Sequence, residues 1–529
     1  MPSRIISSSV KNKKSISLPA VSSHGLGSHW AGDVGAFIAG LLLPLAFAPV
    51  GFFPLAFVSL SVLFWLWQST PTGKRVFWRG YLFGLGYFGL GVSWVSVSMV
   101  RFGGMTLPLS IFLTALLVCF LALYIGIVGY IARRIFFKAS SLVQLVLVLP
   151  ALWVLAEWVR SWLFTGFPWV NIGYSQLDSP LAGLAPVAGV YAVSWATAVS
   201  AGIIVFSLHA STHIRVKSMV ALLLFWLLSW LPMQIQWAEP EGPTLTASLL
   251  QGNIPQEVKW LPEQRQPTIA LFTRLTRQNW ASDIVIWPET ALPAYFHQAE
   301  DFLKRFGEEA KRHNTSLLIG IPYMEQDAEN RYYNSAVVLN NGETEIYHKY
   351  HLVPFGEFIP FKDLLGDLLS FWDIPMSNFS RSDVHQPVVR MGSSKAAVSI
   401  CYEDVFGEEV IDGLPDANFL INISNDAWFG DSLAPHQHLQ KAQMRSLETA
   451  RPMLRATNNG VSAVINHFGE VVSRSPQFEE AVLTSDFQPM KGATLYVLVG
   501  NGLILGWVAI LLIFSWYIMR RNIPAAIKV

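Results

Sequence analysis

Ala396-Ala397-Val398-Ser399-Ile400-Cys401-Tyr402-Glu403-Asp404 is a short apolar run of β-strand character that stops on a cysteine and continues into an acidic, helix-starting turn. It puts a thiol at the tip of a strand. The chain has two cysteines, and the other, Cys119, lies inside a long apolar segment where a small, weakly polar side chain commonly serves packing. Cys401 is therefore the candidate nucleophile.

A thiol reacts as thiolate, so its surroundings must supply a base and a positive charge that also holds the charge developing in acyl transfer. Two upstream stretches offer these. In Asp283-Ile284-Val285-Ile286-Trp287-Pro288-Glu289-Thr290 a β-branched strand is stopped by Pro288, and Glu289 emerges at its end. Tyr347-His348-Lys349-Tyr350-His351-Leu352-Val353-Pro354-Phe355-Gly356-Glu357 reads as a loop that carries a lysine among aromatics. Taken together, Glu289 is the base, Lys349 the cation and Cys401 the nucleophile. Singly, a strand-end Glu or Lys is more often a solvated surface residue and a lone buried Cys is more often structural; the order and contexts of the three carry the specificity.

On these stretches the chain resembles the nitrilase superfamily, with its Glu-Lys-Cys arrangement, and more closely the membrane-bound branch, the apolipoprotein N-acyltransferases that complete bacterial lipoproteins. The resemblance implies Glu289 as general base, Lys349 as oxyanion stabiliser together with the Tyr402 backbone N–H, and Cys401 as acyl-carrying nucleophile. It further implies supporting roles for Glu357, Tyr402 and Glu403. Trp260, in Gln251-Gly252-Asn253-Ile254-Pro255-Gln256-Glu257-Val258-Lys259-Trp260, resembles the substrate-loop tryptophan. A phospholipid acyl donor and a diacylglyceryl apolipoprotein acceptor are the implied partners, the protein is expected to act as a monomer, and no cofactor or metal is expected.

Composition agrees with a membrane branch. Over 529 residues, 52% are hydrophobic, 20 are Trp and only 14% are charged, which does not suit a soluble globule of this length. A net charge of +1, with no basic patch interleaved with exposed aromatics, argues against nucleic acid as partner. Two distant thiols give no disulfide framework.

Residues 1–30 are Ser- and Lys-rich and lack apolar periodicity, which predicts a cytoplasmic tail. Residues 31–237 hold seven apolar runs, roughly 31–48, 51–69, 80–100, 107–132, 141–161, 184–208 and 217–235, each near the ~20 residues that cross a bilayer core. An eighth run, 494–518, precedes a second cytoplasmic tail at 519–529. Basic loops at Lys74/Arg75/Arg79, Arg133/Arg134/Lys138 and Arg215/Lys217 alternate onto one side with both termini if all eight runs are spans. Residues 243–490 then face outward, the periplasm of a bacterial inner membrane. There charges return and short strands (Leu245–Leu250, Ile284–Ile286, Leu317–Ile321, Ala336–Leu339, Ala397–Ile400, Phe419–Ile423) alternate with helical patterns such as Asp301–Lys311 and His438–Arg451, an α/β reading. The resemblance makes this a catalytic domain built as an α-β-β-α sandwich.

Competing signals have competing explanations. Gly84-Leu85-Gly86-Tyr87-Phe88-Gly89 fits a dinucleotide pattern but sits inside an apolar run, where Gly80, Gly84 and Gly91 instead permit close helix approach. Gly430-Asp431-Ser432-Leu433 matches the signature of GDSL lipases, yet no Asp-x-x-His pair follows. A serine lipase or esterase is the enzymatic alternative. His348, His351, His436 and His438 come without a metal-ligand spacing. Asp33, Glu157 and Arg160 lie in or near spans, the basis of a transporter alternative, although they sit near span ends where charge is tolerated. Trp162-Leu163-Phe164-Thr165-Gly166-Phe167-Pro168-Trp169, followed by Asn171 and Tyr174, reads equally as an interfacial aromatic belt and as a wall of a lipid entrance.

Overall fold

The computed structural model describes residues 29–101, 103–326, 331–359, 378–385 and 387–521. The expected tails therefore lie almost wholly outside the described residues. Each of the eight apolar runs is built around a helix: His29–Leu42, Pro54–Gln68, Gly73–Gly91 followed by Val95–Arg101, Leu107–Ile135, Ser141–Arg160, Ala185–His209, Thr212–Trp230 and Gly502–Arg521. Five of these are long and apolar enough to cross a membrane, and six if the pair bent by 48° at residues 91–95 counts as one. The first two runs are shorter because prolines interrupt them: Pro44 sits in a tight turn over Leu43–Ala46 and Pro54 opens the second helix. The last run is also split, with a short helix Leu495–Val499 and a left-handed Gly500 before Gly502.

Small residues and internal ion pairs hold the bundle together. A Cβ on Gly84 would stand 2.7 Å from the Ala122 backbone, and one on Gly80 2.8 Å from the Ile125 carbonyl, so the dinucleotide-like pattern is a helix contact; Gly91 has ordinary clearance. Asp33 pairs with Arg75 and Arg79. Glu157 accepts from the Trp153 indole at 3.0 Å and the Ile172 N–H at 2.8 Å, while Arg160 donates to Asn171 Oδ1 at 2.6 Å and the Phe167 carbonyl at 2.8 Å. These three charges are thus structural members of the bundle. Thr212–Trp230 buries only Ser229 among its residues, leaving apolar side chains such as Leu223 and Leu228 facing outward, as a lipid-facing helix would.

Among the described residues fourteen strands follow: β1 (Ala238–Pro240), β2 (Leu245–Gln251), β3 (Ile284–Ile286), β4 (Ser316–Met324), β5 (Tyr332–Asn340), β6 (Glu343–His348), β7 (Val388–Met391), β8 (Ser394–Ile400), β9 (Phe419–Ser424), β10 (Met453–Thr457), β11 (Ala463–Ile465), β12 (Val471–Arg474), β13 (Ala481–Phe487) and β14 (Met490–Gly492). They form two six-stranded sheets, ordered β13-β2-β3-β4-β5-β6 and β12-β11-β10-β9-β8-β7. In each, three central strands run parallel, β2-β3-β4 and β8-β9-β10, and the flanking strands are antiparallel. The antiparallel ribbon β1-β14 ties the two ends of the domain together beside the bundle.

Alternation along the strands produces four layers. Ile284 and Ile286 pack between the sheets with Val398, Ile400, Ile421 and Ile423, whereas Val285 and Trp287 face outward into a cluster with Phe272, Leu303 and Phe306 of helices Pro262–Arg277 and Phe296–Arg312. On the second sheet Leu420 and Met453 meet Leu439 and Ala442 of helix Leu433–Thr449. This is an α-β-β-α sandwich.

Helix Leu433–Thr449 joins the sandwich to the bundle. Its Met444 and Leu447 belong to the bundle's core while Leu439 and Ala442 belong to the sheet's. A polar stripe at Gln437, Lys441, Arg445 and Glu448, spaced to share one helix face, meets the bundle: Trp169 donates to Gln437 at 2.6 Å, Lys441 Nζ lies 3.8 Å from the Trp169 ring centre, Arg445 donates to the Tyr174 hydroxyl at 3.4 Å, and Glu448 accepts from the Val190 N–H at 2.6 Å. That N–H is available because the helix Ala185–His209 is broken at Ala188 and Gly189. The helix ends at Thr449, two residues short of the expected Arg451, with Ala450 in a left-handed cap.

Candidate active site

Glu289 and Cys401 both follow the carboxyl ends of parallel strands, where the open ends of α/β sheets place ligands. β3 ends at Ile286, and after Trp287 and Pro288 the buried Glu289 turns inward ahead of Thr290, whose φ is +47°. Lys349 directly follows β6, an edge strand of the same sheet, three places from β3. Its stretch is not a loop throughout, since Tyr347 and His348 complete β6. The Lys349 N–H donates to the Asn334 carbonyl at 2.8 Å, which carries the lysine across β5 toward Glu289.

Three of the expected residues meet in one buried group, with a fourth that the sequence did not flag. Lys349 Nζ lies 2.8 Å from the Glu357 carboxylate and 3.9 Å from Glu289 Oε1. Asn334 spans the two acids, donating from one Nδ2 to Glu289 Oε1 at 2.7 Å and to Glu357 Oε1 at 3.0 Å. Glu357 is anchored in turn by the Val353 N–H at 2.8 Å. It fixes the ammonium and leaves the Glu289 carboxylate with a single close hydrogen bond among the described residues.

Cys401 closes β8 with a φ of +54°, a left-handed conformation that costs a side-chain-bearing residue energy and persists where its surroundings enforce it. The three residues after it are each anchored to a different layer. The Tyr402 hydroxyl donates to the Gly166 carbonyl of the bundle loop at 3.3 Å. Glu403 accepts from the N–H groups of Ile400 (2.7 Å), Tyr350 (2.6 Å) and His351 (3.0 Å) and from the Tyr347 hydroxyl (2.9 Å), so one carboxylate joins the cysteine's strand end to the segment after Lys349. Asp404 turns into the sandwich toward His438 and Arg455.

Burial dominates the electrostatics. It pushes the Cys401 thiol well above its usual value; Glu289 pushes the same way and Lys349 opposes. The resting thiol is therefore protonated and needs a base. Burial also raises the Glu289 carboxyl, with Lys349 opposing and Glu357 reinforcing. For Lys349 burial works against the charge, but Glu357 and Glu289 together outweigh it and the ammonium is retained. A base of raised pKa, a fixed cation and a strand-end thiol are the parts that acyl transfer through a thioester requires.

Trp260 is half-buried in the segment after β2. Its neighbour Lys259 reaches inward, donating to the Glu289 carbonyl at 3.2 Å and to Thr290 Oγ1 at 2.6 Å; burial lowers its pKa to about 8 although Glu289 opposes. Lys259 thus ties the Trp260 segment to the turn that carries Glu289. Ser432 is placed otherwise: its hydroxyl accepts from the Ala434 N–H and caps helix Leu433–Thr449. His348 bonds Ser335, His351 bonds Glu409 and the Thr165 carbonyl, and no group of three or more potential metal ligands occurs among the described residues.

The aromatic loop of the bundle is divided between surface and interior. Trp162 and Phe164 are exposed, whereas Trp169 is buried against Tyr402. Trp162, Thr165 and Pro168 also line a cavity of about 650 Å³ between bundle and sandwich, together with His351, Phe406 and Tyr496.

Comparison with known proteins covers both halves. Residues 39–203 match the apolipoprotein N-acyltransferase N-terminal domain and residues 246–494 match the carbon-nitrogen hydrolase family. The apolipoprotein N-acyltransferase of Methylococcus capsulatus is 44% identical over 88% of this chain and 92% of its own length, and that of Nitrosomonas europaea is 42% identical over 86% and 91%. A crystal structure of a carbon-nitrogen hydrolase from Helicobacter pylori G27 aligns over 53% of this chain and 94% of its own, at 16% identity and a TM-score of 0.36. With relatives this similar matched across nearly their full length, the chain belongs to the apolipoprotein N-acyltransferase family.

Proposed function

We propose that this protein moves an acyl chain from a membrane phospholipid onto Cys401 and then onto the α-amino group of the diacylglyceryl-cysteine of an apolipoprotein. The observation that carries this reading is the buried Glu289–Lys349–Glu357 group, beside a cysteine held at a left-handed strand end in a domain packed directly on an apolar helical bundle. Glu289 takes the thiol proton as sulfur attacks the acyl ester. Lys349 and the Tyr402 N–H face the tetrahedral oxyanion, whose collapse breaks the ester C–O bond, the leaving oxygen taking the proton back from Glu289, so that a lysophospholipid departs and a thioester remains. The amine then attacks that thioester, Glu289 accepts its proton, and the N-acylated lipoprotein departs as Cys401 regains a hydrogen. One base serves both half-reactions because each needs a proton removed from an incoming nucleophile at the same place.

Both substrates are lipid-anchored, so mounting the sandwich on the bundle holds the thiol at the membrane surface where they are concentrated. Trp260 supplies apolar surface for substrate. The sandwich lies on the periplasmic side and the basic loops in the cytoplasm; reporter fusions at Gly242 and after Arg521 should score on opposite sides, and the same side for both would overturn that orientation.

Purified protein given phospholipid and a diacylated lipopeptide with a free α-amine should yield triacylated lipopeptide and lysophospholipid in equal amounts. Free fatty acid in place of the triacylated product would replace transfer with hydrolysis.

A further inference from the structure

The Cys401 carbonyl points into a fully buried polar cluster that the reaction scheme above does not use. Asn422 Nδ2 donates to it at 3.2 Å and His438 Nε2 lies at 3.2 Å. His438 Nε2 is also 2.8 Å from Asp404 Oδ1, and its Nδ1 is 2.9 Å from Arg455 Nη2 and 3.3 Å from Asp426 Oδ1. Arg455 donates to Asn422 Oδ1 at 2.5 Å, Asp404 Oδ2 at 3.2 Å and Asp426 Oδ2 at 3.2 Å. All five side chains are buried. Both groups facing Nε2, a carboxylate and a carbonyl, are acceptors, so Nε2 carries a hydrogen whatever the charge of the ring.

A trans peptide is planar, with its C=O and N–H on opposite sides. The carbonyl of Cys401 and the N–H of Tyr402 belong to one such unit. Drawing the carbonyl into the cluster therefore turns the Tyr402 N–H the opposite way, and it also helps hold the left-handed turn at Cys401. We propose, resting on the acyl-transfer reading above, that His438 is a positioning residue which, with Asn422, aims the Tyr402 N–H at the oxyanion. The bundle takes part in seating it: the Trp169 ring lies 5.6 Å from the imidazole, and Trp169 bonds the adjacent Gln437.

Two near-isosteric substitutions separate this role from general support of the fold. The amide nitrogen of His438→Gln reaches the Nε2 position and can still donate to the Cys401 carbonyl, whereas that of His438→Asn reaches only the Nδ1 position, toward Arg455 and Asp426. Three quantities are measured for each: single-turnover thioester formation at saturating phospholipid, the phospholipid concentration giving half the maximal rate, and alkylation of Cys401 by iodoacetamide, which passes through no oxyanion. His438→Asn should slow thioester formation by about 10²-fold, the scale of one lost oxyanion donor, with half-saturation and alkylation changed by less than about threefold. His438→Gln should recover at least a tenth of the native rate. Alkylation falling in step with acylation, equal rates for the Gln and Asn variants, or a near-native rate for His438→Asn would each overturn the assignment. Failure of the unsubstituted protein to form any thioester would instead overturn the acyl-transfer reading, so the two failures are told apart.

Discussion

Two buried polar groups flank Cys401, and they are built to opposite specifications. On the first sheet, the Glu289 carboxylate keeps one close hydrogen bond among the described residues, from Asn334, with Lys349 3.9 Å away, and burial raises its pKa. On the second, burial also disfavours the Asp426 carboxylate, but Arg455 and His438 outweigh it and hold the carboxyl down at about 2. The difference follows from coordination. A buried carboxylate left under-coordinated can take up a proton, as the proposed base must; one saturated by cations is held ionised. Lys349 shows the same division on the cationic side, bonded closely to Glu357 at 2.8 Å and lying farther from Glu289, at 3.9 Å.

The comparison breaks most sharply at the thiol between the two groups. Cys401→Ala should abolish both thioester formation and N-acylation, while Ser432→Ala should leave both largely intact and cost only about 1 kcal/mol of stability as a lost helix cap; thioester assays with thermal melts on both variants check this. An inactive Ser432→Ala with an active Cys401→Ala would hand the chemistry to the serine.

Glu289→Gln and Lys349→Ala come next, each expected to reduce thioester formation by about 10²–10³-fold or more. Removing the buried acid from the first group relieves strain, so Glu289→Gln should melt at or above the native temperature despite its inactivity. The pH dependence shares this origin: Glu289 must be ionised to act, so acyl-enzyme formation should rise with pH through a limb above the ordinary carboxylate range near 4.5. A limb at or below that value would remove Glu289 as the base.

In the second group the signs reverse. Arg455→Met should destabilise the protein by about 3–5 kcal/mol, because two buried carboxylates lose their cation. Asp426, lowered from 3.8 to about 2, contributes stability above about pH 4 that disappears as pH falls toward 2. A flat melting profile across that window in the native protein, compared with Asp426→Asn, would contradict the assignment.

Trp260→Ala should have the smallest effect on chemistry, still forming thioester with phospholipid but turning over about tenfold more slowly when lipopeptide is added. Normal turnover would remove Trp260 from the substrate path.

Much of the candidate group was legible because strand ends punctuate a sequence: Pro288 stops β3 just before Glu289, and an apolar run stops at Cys401. The resemblance to known relatives pointed to Glu357, Tyr402 and Glu403 as well. Asn334 was not legible, since an asparagine inside β5 carries no periodic signal and its value lies in spanning two acids that arrive from other elements. His438, Asp404, Asn422 and Arg455 are spread over 52 positions and meet only through the parallel pairing β8-β9-β10 and the helix laid on it. The strand-like stretches are strands, whereas Tyr347 and His348 read as loop because β6, with Glu343, Thr344 and Glu345 at its start, has no apolar run to announce it. In the bundle, apolar runs announced the helices, but composition does not reveal where Pro44, Gly189 and Gly500 break them.

Intact-mass analysis of the purified protein incubated with phospholipid alone tests the central claim most directly. The expected result is a gain of one acyl group, removable by hydroxylamine as a thioester and mapped by peptide sequencing to Cys401, with an equal amount of lysophospholipid released. An acyl group found on Ser432, or lysophospholipid released with no acylated Cys401 at any time, would contradict it.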